Sequence, residues 1–466
     1  MNYWDLRKDI SKVIPRASQF VFDGSSGIKG VKEKGRKSNY EQFNLEKREW
    51  VKIERLLDID EINSFVEVSL RAQSCPMPLN IDVWDGLKCP FGCKYCYADY
   101  FKASLYSSFF DNYKKMGLRH CNVDFVKKEL DILMKHRGEK VEGNDKVKNA
   151  IRQEIPMRLG IRFEDFISKE KKDKISLQLL QYLTDISYPT MINTKSSLIG
   201  EDEYVKVLSD NKGKAAVHMT LISSDNKFLK KIEPGAPSLE ARLGACKNLV
   251  EAGVRVICRI EPYMIFLNDS KKMVDDYIGR IKEIGIKHIT WDTYSYSANS
   301  IGIANNFRQL GIDWDRMFLL TSDSQWLGSI LLGKLMEYFR ENEIQNSTFD
   351  FGNVPDNDNF ICCEVGDWFG GGFNYGCGVS AIRFIVSQKG KPCTWGAFNK
   401  WVVKKGGWLS DSIKDEVKRM WNGNGNVAWY ISWAKGIEPA GSDTEGMIWK
   451  FNKKDDFRLK KLESIL

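Results

Sequence analysis

The 466-residue chain has no run of eighteen apolar residues, so its sequence offers no membrane-spanning helix. The opening MNYWDLRKDISKVIPRAS carries charges but no apolar core and no small-residue cleavage site. That excludes a secretory signal and sets the expectation of a cytoplasmic protein. Histidine is scarce: the four, at 120, 136, 218 and 288, show no ligand spacing, and His218 reads as a core or rim residue of a strand. No repeat of fixed period is present. Twelve prolines and 37 glycines are too few for collagen or low complexity, and 42% apolar residues are too many for disorder. Strong charge of one sign is also missing. Seventy Lys and Arg against 62 Asp and Glu leave +8, which permits contact with nucleic acid or another anion without requiring it. The length fits two or three domains.

Cysteine, in contrast, is plentiful. Eleven are present, an odd number in a chain that is neither small nor marked for secretion, so a disulfide framework is not expected. Two clusters stand out, at 89–96 and 362–393, and the remaining four cysteines read as small buried apolar residues.

Residues 1–75 form a polar extension whose basic stretch, Lys29, Lys32, Lys34, Arg36 and Lys37, is broken by glycines and reads as a solvated loop. From 76 to 300 short apolar runs alternate with amphipathic stretches. The strand candidates are 79–85, 156–161, 189–194, 215–222, 254–262 and 287–294, and the helices include 124–136, 176–185, 238–253 and 270–285. Gly253 and Gly285 stand at helix C-cap positions. Six strands with right-handed helical crossovers predict an α/β fold, a partial (βα)6 TIM barrel, whose chemistry would sit at the C-terminal strand ends. Residues 301–466 read as a helical and Cys/Trp/Gly-rich accessory domain, with helices over 301–345. Eight of the fourteen tryptophans lie between 368 and 449, as a compact aromatic core or as base-stacking platforms.

Directly after the first barrel strand stands CPFGCKYCY, with Cys89, Cys93 and Cys96 on one tight loop that Gly92 lets turn. Three thiolates hold three irons of a [4Fe–4S] cluster and leave the fourth open to a chelating ligand. Structural zinc wants four protein ligands, usually in two spaced pairs. The spacing, with an aromatic residue before the last cysteine, resembles the radical S-adenosylmethionine superfamily. The segments RLGIRFEDF, YPTMINTKSSLI, MTLISSDNKFLKKIEPGAPSLEARL and RVICRIEPYMIFLND resemble, more narrowly, the spore photoproduct lyase family of DNA repair photolyase-like enzymes.

That resemblance implies a [4Fe–4S] cluster, S-adenosylmethionine, an electron donor such as flavodoxin or ferredoxin, and a 5′-deoxyadenosyl radical that takes hydrogen from substrate. It implies cofactor contacts by Tyr95, Tyr97, Lys195 and Ser196. Lys195, at a strand end, would meet a carboxylate as a point charge. Thr220 and Ser224 would hydrogen-bond the ribose or amino group, and Arg259 with Glu261 would orient cofactor or substrate or else close the barrel rim. The lyase's cysteine hydrogen donor after the second strand has no counterpart here. Arg162, Glu164 and Asp165 stand there instead, either facing the cavity or capping a helix. Nucleic acid is the leading substrate class. The alternative is a peptide or small metabolite, with an auxiliary cluster on Cys362, Cys363, Cys377 and Cys393 around a hairpin turning at Lys389-Gly390. An iron–sulfur or zinc protein without enzymatic activity is the third class.

Overall fold

A computed structural model describes residues 2–13, 41–44, 49–52, 67–70, 79–96, 98, 114, 117–139, 146–294, 301–314, 325–348, 377–405, 407–423, 431 and 434–452. The basic stretch at 29–37, Tyr97, Cys362, Cys363 and the charged tail beyond 452 lie outside these residues.

The centre is an eight-stranded sheet. β1 (Glu67–Leu70) pairs antiparallel with β2 (Leu79–Asp82). Six strands then follow in chain order, each parallel to its predecessor: β3 (Met157–Leu159), β4 (Thr190–Thr194), β5 (Ala215–Thr220), β6 (Arg255–Tyr263), β7 (His288–Thr293) and β8 (Gln345–Thr348). An order without reversal is that of an opened (βα) barrel rather than a doubly wound sheet. It matches the expected partial barrel and carries it further. The sheet runs past the 76–300 span at both ends, and β8 lies at the boundary of the region read as helical. QNST has no apolar signature, so its strand character comes from pairing with β7.

The helices include α1 (Tyr3–Val13), ahead of the sheet, and at least one in each crossover, among them α2 (Val123–Met134), α3 (Ile175–Asp185), α4 (Asp202–Asp210), α5 (Leu239–Glu251), α6 (Lys271–Ile284) and α7 (Gln325–Glu341). Their starts follow side-chain chemistry. Asn122, Ser238 and Ser270 accept from the backbone N–H of Phe125, Ala241 and Met273 and so satisfy otherwise orphaned donors. Gly285, at φ +89°, closes α6 in the left-handed conformation. β4 and β5 are buried along their whole length, as strands covered on both faces are.

α1 is tied to the far end of β6. Buried Asp269 accepts from the hydroxyls of Tyr3 (2.5 Å) and Tyr263 (3.0 Å), from Arg7 (3.0 Å) and from the backbone N–H of Phe266. Trp4 packs edge-on against Tyr338 of α7.

Residues 377–452 hold α8 (Gly378–Ser387), α9 (Trp395–Lys405), α10 (Asp411–Trp421) and an antiparallel hairpin of β9 (Ile437–Asp443) and β10 (Gly446–Phe451). The expected hairpin around Lys389-Gly390 is corrected here. Both residues have positive φ and make a turn, but the segment before them is helix α8. Cys393 forms a β-bridge to Trp449 instead. An apolar run such as AIRFIV fits a helix face or a strand, and here burial against α9, α10 and β10 makes it helical. The described tryptophans make a core: Phe398 stacks on Trp421 at 5.4 Å, and Trp395 on Trp408 at 5.7 Å.

Candidate active site

The cysteine loop leaves the end of β2. Gly92 takes φ +56° and its N–H donates to the Cys89 carbonyl (3.1 Å), and the Cys96 N–H donates to the Cys93 carbonyl (3.1 Å). These turns place three half-buried thiols on one short loop. The loop is held by the EPGAPS segment after β5. Lys94 N–H donates to the Ile232 carbonyl (2.8 Å) and Gly235 N–H to the Phe91 carbonyl (2.9 Å). The approach is so close that a Cβ on Gly235 would lie 2.4 Å from the Pro90 carbonyl oxygen.

Burial raises the Cys89 thiol to about 11 and pushes Cys93 up further, with Lys195 opposing the rise at Cys93 and the neighbouring Cys96 adding to both. The thiols therefore feel one another's charge. Among the described residues, no three His, Cys, Asp or Glu side chains already converge on a common metal position. As a donor set, three thiols on one turn suit iron–sulfur ligation, and no histidine or carboxylate completes a zinc set among those residues.

Lys195 follows β4 and is half-buried. Its ammonium lies 5.6 Å from the centre of the Tyr95 ring. Burial would lower its pKa, but Cys93 and Glu233 reverse this and leave the value raised. Tyr95 itself is buried, and its hydroxyl donates to Glu233. Glu233 in turn pairs with Arg242 at 2.6 Å, both side chains essentially without exposure, and Arg242 also donates to the Thr220 carbonyl (3.1 Å). So the loop, the lysine and the end of β5 share one buried ionic network.

Two carboxylates staple the strand ends. Glu164 accepts from the Thr194 hydroxyl (2.6 Å) and the Lys195 N–H (2.9 Å), and burial raises its pKa. Asp165 accepts from the N–H groups of Val83 and Trp84, both at 2.9 Å. Arg162 is half-buried, with its pKa lowered by burial, and its N–H donates to Asp82 (3.2 Å). Arg259 and Glu261 form an ion pair, with Thr290 near Glu261 at 3.5 Å. Thr220, Arg259 and Thr290 stand in register on adjacent strands, so they share one face of the sheet.

Other expected residues are engaged differently. Ser196 caps its own turn, accepting from Leu198 N–H at 3.2 Å. The Ser224 hydroxyl donates to the Met273 carbonyl at the start of α6 (2.7 Å). Buried Cys377 caps α8, accepting from Ser380 N–H, and Cys393 donates to the Lys391 carbonyl within the aromatic unit, where burial raises it to about 11.

Sequence reasoning assigned no role to Glu233, Gly235 or Arg242, although all three stand in or beside EPGAPSLEAR. It also passed over Asn193. That side chain is buried in β4 with neither amide atom hydrogen-bonded among the described residues, and it stands two positions before Lys195. A buried, unmet donor and acceptor two positions before a half-buried lysine suits a ligand with carboxylate and amino groups.

No family model matches the chain and no curated protein matches it. Similar solved structures include spore photoproduct lyase complexed with dinucleoside spore photoproduct, with a TM-score of 0.37 and 14% identity over 52% of this chain and 64% of that one. Streptococcus suis SuiB bound to precursor peptide SuiA aligns with a TM-score of 0.37 and 14% identity, over 59% of this chain and 49% of that one. SuiB bound to S-adenosylmethionine gives 0.38 and 12%, over 65% and 57%. The chain thus spans less than two thirds of each of these three. The lyase is of the family that the sequence segments resemble.

Proposed function

We propose that the chain is a radical S-adenosylmethionine enzyme acting on nucleic acid. The observation that carries this reading is the Cys89–Cys93–Cys96 loop at the end of the first parallel strand, with half-buried Lys195 just after β4 and, at the end of β4, Asn193, whose amide has no partner among the described residues. The thiols would hold the cluster, Lys195 would meet the carboxylate of S-adenosylmethionine and Asn193 its amino group. Bound there, the cluster would supply the one-electron reduction of the sulfonium that opens hydrogen abstraction from a substrate. The protein's part is positional. Glu164 fixes the backbone of Lys195, and Glu233 and Arg242 hold Tyr95 and the end of β5. Cys377 and Cys393 serve as a helix cap and a core thiol, and the other two cysteines of the expected auxiliary site lie outside the described residues. The substrate class rests on the family resemblance and the +8 charge.

The test is anaerobic reconstitution with iron and sulfide, then dithionite and S-adenosylmethionine. The parent should form 5′-deoxyadenosine and Cys93→Ala should not. Equal product from both removes the loop from the chemistry.

A further inference from the structure

We infer that residues 377–452 form a winged helix-turn-helix that binds duplex nucleic acid. The element order is helix α8, a strand-like residue Cys393, helices α9 and α10, then the β9–β10 hairpin. Cys393 pairs antiparallel with Trp449 of β10, so the short first strand lies beside the last one and the hairpin projects as a wing. α9 and α10 are joined by a short connector in which Gly407 takes φ +84° and Ser410 caps α10 through Ile413 N–H. The two helices meet through Trp395, Phe398 and Trp421. This is the helix-turn-helix arrangement with a two-stranded hairpin and one bridging residue behind it, in which the second helix of the pair enters the major groove.

Charge selects the partner. Residues 377–410 contain six Lys or Arg and no Asp or Glu, and 377–452 contain eleven against six. α9 exposes Lys400, Lys404 and Lys405 for phosphates. α10 buries Ile413, Val417, Met420 and Trp421, exposes Asp415 and Arg419 and leaves Lys414 and Lys418 half-buried, with the Lys418 ammonium 5.8 Å from the centre of the Trp395 ring, a mixed donor and acceptor face suited to base edges. Of the six acids, Glu416 pairs with Arg419 and Glu438 with Lys450. Asp443 is spent on the wing turn, accepting from Glu445 and Gly446 N–H. Asp411, Asp415 and Glu445 remain among the lysines.

The proposal concerns residues outside the cysteine loop and is tested on the full chain without cluster, so its failure leaves the radical reading standing. The experiment is fluorescence anisotropy with a labelled mixed-sequence DNA duplex of about 25 base pairs over a salt series. Lys414→Ala/Lys418→Ala/Arg419→Ala should weaken binding at least about tenfold and flatten the salt slope by about two to three. Lys400→Ala/Lys404→Ala/Lys405→Ala should flatten it likewise, with tryptophan fluorescence showing that both variants fold. No salt-dependent binding up to about 100 µM overturns the proposal. So does parent-like binding by both variants, or equal affinity for polyglutamate, which would make the unit a general anion or protein-docking surface.

Discussion

Asn193 carries a cost that no partner among the described residues offsets. Two buried amide atoms without partners destabilise a fold by about 1–3 kcal/mol relative to bonded ones, whereas an apolar residue of the same shape is near neutral. Asn193→Leu is therefore expected to match or exceed the parent in denaturant stability without ligand, while calorimetric affinity for S-adenosylmethionine falls about tenfold or more. A variant that loses stability but keeps its affinity would mean that the amide serves the strand and not the ligand. Such a residue was hidden in the sequence, because an Asn within TMINT looks like any strand position until burial and register are known. Lys195 was easier to see, since a lysine directly after a strand stands where a barrel keeps its chemistry and matches the family segment. Glu233 and Arg242 are nine positions apart, and only the turn into α5 brings them together.

Among the elements, the EPGAPS segment governs the cysteine loop through a backbone contact. The Gly235 position leaves no room for a methyl group: the atoms it would meet are the Pro90 carbonyl oxygen and the Phe91 backbone, which cannot rotate aside. Gly235→Ala should displace the loop and lower the iron bound after reconstitution several-fold. Gly244→Ala is the matched control, because that position in α5 has nothing within 4 Å of a new Cβ. Equal iron in the two variants would show that the contact is incidental. The parallel strands were legible as apolar runs and the helix ends as caps, which is why α2, α3, α5 and α6 begin and end within two residues of their expected bounds. α8 was not, because its apolar run is short enough for either periodicity and the neighbouring cysteines suggested a ligand-bearing hairpin. The winged unit was illegible for the same reason, as its first strand amounts to one bridging residue.

At the scale of the molecule, stability should depend on acidity through His288. This ring is buried at the start of β7, with Nε2 2.8 Å from the Ser347 hydroxyl, and burial lowers its pKa to about 3. The unfolded chain titrates near 6.5, so between these values the unfolded state binds the extra proton. Stability is then full above about 6.5 and falls as pH drops toward 3, by at most about 1.4 kcal/mol per unit. Urea midpoints for the parent and His288→Gln should converge from pH 7 to pH 5, and parallel profiles would remove the residue from the effect. The grip of α1 on Asp269 has a different consequence, one of timing. Tyr3 is made roughly 260 residues before Tyr263. At about 5–20 residues per second, the first helix waits on the order of ten to fifty seconds for its partners. An eleven-residue helix is marginal alone in water. Throughout that interval Tyr3, Trp4 and Leu6 are displayed on the nascent chain, a site for early chaperone engagement that closes only when β6 and α7 have left the ribosome.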